Sequence, residues 1–148
     1  MDVVPKDAPK SYPVSGLAHR ALAAPRVGGL TNVELWNQVV EAGAETPIHW
    51  HECAETVVVL SGTGDAISER GAVTVSPGMA LSFEPGEIHQ IVNRNEEPVE
   101  LVAVLGERPA RTFTLDGEVL DLTGQAGDRR RSGLNRSRVH PAGGKTRG

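Results

Sequence analysis

Residues 43–62 read G-A-E-T-P-I-H-W-H-E-C-A-E-T-V-V-V-L-S-G, and they decide how the rest of the chain is understood. His49 and His51 stand two apart, Glu55 follows four residues later, and Gly43 and Gly62 close the ends. In an extended chain, residues two apart point to the same face, so one strand aims two imidazoles at one point. A straight strand would carry Glu55 roughly 13 Å past His51, too far to share an ion. If the three side chains serve one site, the chain must turn at Glu52-Cys53-Ala54.

A second stretch, Gly78–Asn93 (G-M-A-L-S-F-E-P-G-E-I-H-Q-I-V-N), delivers His89 just after a Pro85-Gly86 turn. Three of the chain's five histidines lie in these two stretches, while His19 and His140 fall in poorly patterned segments. His49, His51, Glu55 and His89 make a candidate ligand set for one divalent ion, with positions left open for water, dioxygen or a chelating substrate. Imidazole with carboxylate suits Fe, Mn, Ni, Cu or Zn, and no thiolate ligand points to a structural zinc site. The alternative is that the histidines are hydrogen-bonded core residues.

Outward from the two stretches, the chain reads as short strands separated by turn chemistry. Expected strands are 17–22, 30–40, 56–60, 65–68, 71–75, 79–83, 88–93, 99–105, 112–115 and 118–122. Val33, Leu35 and Val39 share one side of the second. The β-branched run Thr56–Leu60 is typical of a strand buried on both faces. No segment makes a convincing helix, so the fold class is all-β, a sandwich or barrel. A barrel removes sheet edges and leaves a mouth for a site.

The chain of 148 residues is expected to form one domain. Residues 1–15 read as an arm, 16–123 as the barrel and 124–148 as a disordered tail. Residues 1–123 carry 8 basic and 18 acidic side chains, and residues 124–148 carry 7 basic and 1 acidic. An acidic body does not suit nucleic acid, whatever the basic tail contacts. The single cysteine, Cys53, cannot bridge internally, which suits a reducing compartment. No apolar run approaches the roughly 20 residues that span a bilayer, and the first fifteen residues lack an apolar signal core. A cytoplasmic protein without membrane contact is expected.

Together the two stretches resemble the paired motifs of the cupin superfamily. The first motif is glycine, five residues, His-x-His, three or four residues, Glu, six residues, glycine; Gly43, His49, His51, Glu55 and Gly62 match throughout. The second is glycine, five residues, Pro-x-Gly, two residues, His, three residues, Asn. Gly78, Gly86, His89 and Asn93 match it, with the proline displaced to Pro85 and Glu84 in its usual place. The resemblance implies a double-stranded β-helix, a jelly-roll barrel with the metal inside, and a single-domain protein of the kind that commonly forms homodimers. It also implies dioxygenase, isomerase, lyase or polyketide-cyclase chemistry on a small-molecule substrate.

Around the ion, Val57, Val59, Ile91 and Leu81 or Phe83 are expected to line an apolar cavity, with some of them simply packing the barrel. Trp50 should face outward, and Trp36 should pack in the core or at an interface. Gln90 should point away from the site. Glu52, Glu84 and Glu87 read as solvated turn carboxylates, any of which becomes a base only if buried. Cys53 reads as a small buried thiol in a turn. The reading reached is a metal-dependent enzyme of a small oxygenated metabolite, with dioxygenase chemistry slightly favoured. A non-catalytic ligand-binding module is the alternative; no helix-turn-helix accompanies the barrel.

Overall fold

The glycine-rich turns cut the chain into strands close to the expected positions. A computed structural model describes residues 3–23, 32–106 and 110–120; the stretch 124–148 lies outside them. In chain order the strands are β1 (Ser11–Val14), β2 (Leu17–Ala23), β3 (Glu34–Val40), β4 (Trp50–His51), β5 (Glu55–Ser61) and β6 (Gly64–Ser68). They continue as β7 (Gly71–Val75), β8 (Ala80–Phe83), β9 (His89–Val92), β10 (Val99–Leu105), β11 (Thr112–Phe113) and β12 (Val119–Leu120). The described residues contain no helix. β1 pairs with β2, so four residues of the segment read as an arm join the sheet.

Two walls face each other. One is a six-stranded sheet in the order β1-β2-β3-β10-β5-β8. The other is built from β12-β11-β4 and β7-β6-β9, joined by antiparallel bridges between His49 and His89 and between Glu45 and Val92. This is the antiparallel double-wall arrangement of a jelly roll. Between the walls lies an apolar core that includes Leu17, Trp36, Val57, Val59, Ile91 and Leu101.

Two strands differ from expectation. β5 is buried on one face only: Glu55, Val57 and Val59 point inward, while Thr56 and Val58 are half-buried. In β3 the apolar set Val33, Leu35 and Val39 lies on the half-buried side, and Glu34, Trp36, Gln38 and Val40 take the buried one. The reason is registry: with β3 hydrogen-bonded between β2 and β10, its neighbours decide which parity faces the core. The polar inner residues are tolerated because they find partners.

The turns that carry the site depend on glycine at two places. Gly62 has φ +74°, and a Cβ there would lie 2.2 Å from the Pro98 carbonyl oxygen. Gly86 has φ +82° and follows Pro85 in a turn closed by the Glu87 N–H donating to the Glu84 carbonyl at 3.0 Å. Proline second and glycine third is the pairing such a turn requires, which explains the displaced proline. Gly86 N–H also donates to the His51 carbonyl at 2.8 Å, tying this turn to β4.

Candidate metal centre

His49 and His89 lie directly opposite each other in the second wall. Each N–H donates to the other's carbonyl, at 3.1 Å from His49 and 2.9 Å from His89. Directly opposed residues of an antiparallel pair share a face, so both imidazoles enter the barrel. His51, two residues on, joins them. Glu55 comes from the opposite wall, because the chain bends over residues 52–54 before β5 begins. The turn forced by the His51-to-Glu55 spacing is therefore present. All four residues are buried, and one potential donor atom from each lies within 4.8 Å of every other. The ring centroids of His49 stand 4.3 Å from His89 and 5.0 Å from His51.

Backbone carbonyls fix the direction of each ring. His49 Nδ1 donates to Pro47 O at 2.7 Å, His51 Nδ1 to Arg111 O at 2.9 Å, and His89 Nδ1 to Glu87 O at 2.9 Å. A carbonyl only accepts, so each Nδ1 carries the proton and each Nε2 keeps its lone pair. That is the outer support that metal-binding histidines require. The ring of Phe83 stacks on His89 at 3.9 Å, and Trp36 stands edge-on to His51 at 6.3 Å.

The electrostatics favour neutral imidazole at one ligand and a carboxylate at another. Burial, then the nearby His89, pushes His49 down to about 4. At His51 burial pulls the same way, but the Glu55 carboxylate overcomes it and raises the pKa, with smaller help from Arg111 O and Glu34. Burial would raise Glu55, yet His51 and His89 hold it well below the usual carboxylate range.

Glu55 Oε2 stands 2.9 Å from His89 Nε2 and 3.4 Å from His51 Nε2. Even so, Oε2 and His51 Nε2 are buried without a hydrogen-bond partner. A short separation alone does not make a hydrogen bond, which also needs alignment. Buried polar atoms left in this way are costly, and an ion accepting both lone pairs would satisfy them. The residues fit a divalent metal, with three nitrogens and one oxygen as donors. No thiolate takes part: Cys53 is half-buried and packs against the core.

Of the residues expected around the ion, Leu81 and Phe83 line a cavity of about 250 Å³ between the β6–β7 hairpin and β8, with Ala66, Val73, Arg70 and Glu87, but none of the four candidate ligands lines it. Val57, Val59 and Ile91 instead sit in the closed core, because their strand positions pack against the facing wall. Glu87 is a further correction: it is buried rather than a solvated turn residue. Its oxygens accept from Arg70 Nε at 2.8 Å and Nη2 at 2.6 Å, and Oε2 also accepts from Glu84 N–H at 3.0 Å. Arg70 and Glu84 N–H hold the Glu87 carboxyl below its ordinary range, against the opposing effect of burial. Glu52 and Glu84 are exposed as expected. Trp50 is half-buried, stacks on Phe113 at 4.4 Å and donates to Thr114 O. Gln90 donates to Thr46 O. Sequence reasoning missed Glu34, a buried carboxylate sharing the inner face with Trp36; that shared parity was the available signal.

A family model described as a cupin domain matches residues 36–105, which contain all four site residues. The same barrel occurs in a cupin 2 conserved barrel domain protein from Salinispora arenicola, with 25% identity, a TM-score of 0.61, and 72% of this chain and 89% of that one covered. The chain belongs to the cupin superfamily. This cupin is also similar to auxin-binding protein T85 of Nicotiana tabacum, 30% identical over 118 residues, covering 72% of this chain and 63% of the tobacco protein. It thus spans less than two thirds of that relative's length. A shorter likeness, 44% over 50 residues, is to the (R)-mandelonitrile lyase of Granulicella tundricola, covering 33% of this chain and 38% of the lyase.

Proposed function

We propose that this cupin is a metal-dependent enzyme acting on a small oxygenated metabolite, with a divalent ion held by His49, His51, Glu55 and His89. One observation carries the proposal: four buried donors converge within 4.8 Å, and a backbone carbonyl aims each Nε2 inward. A bound divalent ion would polarise a hydroxyl, enol or carboxylate oxygen of the substrate. The Arg70–Glu87 pair closes the β6–β7 hairpin against the turn before His89, and Phe83 forms a wall shared by His89 and the cavity. A cavity of about 250 Å³ suits a small metabolite.

Dioxygenase chemistry is supported by the donor set, since four ligands leave neighbouring positions for dioxygen and substrate. Lyase chemistry is supported by the likeness to (R)-mandelonitrile lyase. A panel of small hydroxy- and enol-carbonyl compounds, incubated with metal-loaded protein in air and without oxygen, separates these readings. Turnover that needs air supports the dioxygenase, and turnover in both supports the lyase. The likeness to an auxin-binding protein favours a second reading, a non-catalytic binder of a small organic ligand. Ligand affinity without turnover, lost in His51→Ala, would establish that reading and contradict the enzyme. The homodimer implied by the family is likewise a proposal, to be checked by light scattering.

A further inference from the structure

Glu34 begins β3 with its side chain almost wholly inside the barrel, at 2% exposure. Each carboxylate oxygen accepts one N–H: Oε1 from Trp36 Nε1 at 3.0 Å and Oε2 from the Ala110 backbone at 2.8 Å. Both donors lead to His51. Trp36 lies edge-on to its ring, and the residue after Ala110 supplies the carbonyl that accepts from His51 Nδ1.

We propose that Glu34 is a positioning residue of the metal centre, holding the 110–111 backbone so that the Arg111 carbonyl turns His51 Nε2 into the site. Residues 110 and 111 precede β11 and lie outside any strand, so no ladder of regular bonds sets their place. Further ties there are the packing of Ala110 on the core, the Arg111 guanidinium over the Phe113 ring at 5.5 Å, and the ion pair of Arg111 with Glu52, both exposed. Pairs of that kind contribute little, whereas a buried charge-assisted bond is strong and directional. From Arg111 onward Thr112 pairs with His51, placing the Thr112 hydroxyl 3.4 Å from Nδ1 as a weaker second contact. A displaced Ala110 would shift the Arg111 carbonyl and free the ring to turn.

Carboxylate chemistry is needed because both oxygens must accept. In Glu34→Gln, whichever way the amide turns, its NH₂ meets either the Trp36 N–H or the Ala110 N–H. This inference rests on the metal reading, and the experiment separates the two. The full chain is stripped of metal, and Co²⁺ affinity is measured by chelator competition. Histidine ¹⁵N spectra of the metal-free protein report the His51 tautomer. Glu34→Gln should weaken Co²⁺ binding by about 10–100-fold and convert His51 from the Nδ1–H form to a mixture. Trp36→Phe removes the Oε1 bond together with part of the ring that packs edge-on to His51, and it should weaken Co²⁺ binding by less than Glu34→Gln does. If Glu34→Gln fails to fold, Glu34→Asp, one methylene too short to reach Ala110, should show the same two changes. Unchanged affinity and tautomer in a folded variant would overturn the proposal, as would an equal loss in Trp36→Phe. If the wild type binds no Co²⁺, the metal reading fails, and the tautomer alone then decides the role of Glu34.

Discussion

At the scale of single residues the candidate site pairs four potential ligands with the groups that aim them. His49→Ala, His51→Ala and His89→Ala should each lower metal affinity by about one to several orders of magnitude, and Glu55→Gln should weaken it while raising the charge of the site. Titration calorimetry checks this; equal affinity in all four variants would remove the ligand assignment. In metal-free protein the same groups shape stability against pH. His49 is lowered from 6.5 to about 4, so between those values the unfolded chain holds a proton that the folded one does not. Its contribution is complete above pH 6.5 and is lost as pH falls toward 4, on the order of 3 kcal/mol in all. His51 is raised, so its contribution is complete below 6.5 and is lost as pH climbs through its folded value. Metal-free protein should therefore be most stable near pH 6.5, and His49→Gln should flatten the acid side of a denaturant-midpoint profile. A profile unaltered on that side would contradict burial of a neutral His49.

At the scale of elements, the turns decide where the ligands arrive. Gly62→Ala places a methyl against the Pro98 carbonyl at positive φ and should cost about 2 kcal/mol or more. Gly43→Ala shares the positive φ but meets nothing within 4 Å, and should cost about 1 kcal/mol. Thermal unfolding of both variants, equal within error, would show that the close approach at Gly62 has no weight. Much of the strand order was legible because Gly, Pro, Asn and Asp punctuate the chain at short intervals. The bend between His51 and Glu55 was legible from reach alone. The inward face of β3 was not, since alternation gives two faces without saying which meets the core. That choice belongs to β2 and β10, and it put Glu34 beside Trp36 inside the barrel.

At the scale of the whole molecule, two facing walls bring His49, His51 and His89 from one wall against Glu55 from the other. The four candidate residues could be picked out from spacing, because the paired stretches carry them all, and the structure brings them together. The cavity could not, since its walls come from the β6–β7 hairpin and β8, whose mutual approach no local pattern encodes. Burial of Glu87 was hidden for the same reason: its partner Arg70 lies 17 residues away in sequence. The described strands and the four candidate site residues all lie before residue 121. Deleting residues 124–148 should therefore leave the melting temperature and metal affinity unchanged; a large fall in either would give that stretch a structural role. Whether His49, His51, Glu55 and His89 hold one ion can be read from metal content. Protein purified without added metal or chelator, and its His51→Ala variant, should be compared by elemental mass spectrometry. The account predicts near-stoichiometric Fe, Mn, Ni, Cu or Zn in the wild type and its loss in the variant. No metal in the wild type, with none taken up on titration, would contradict it.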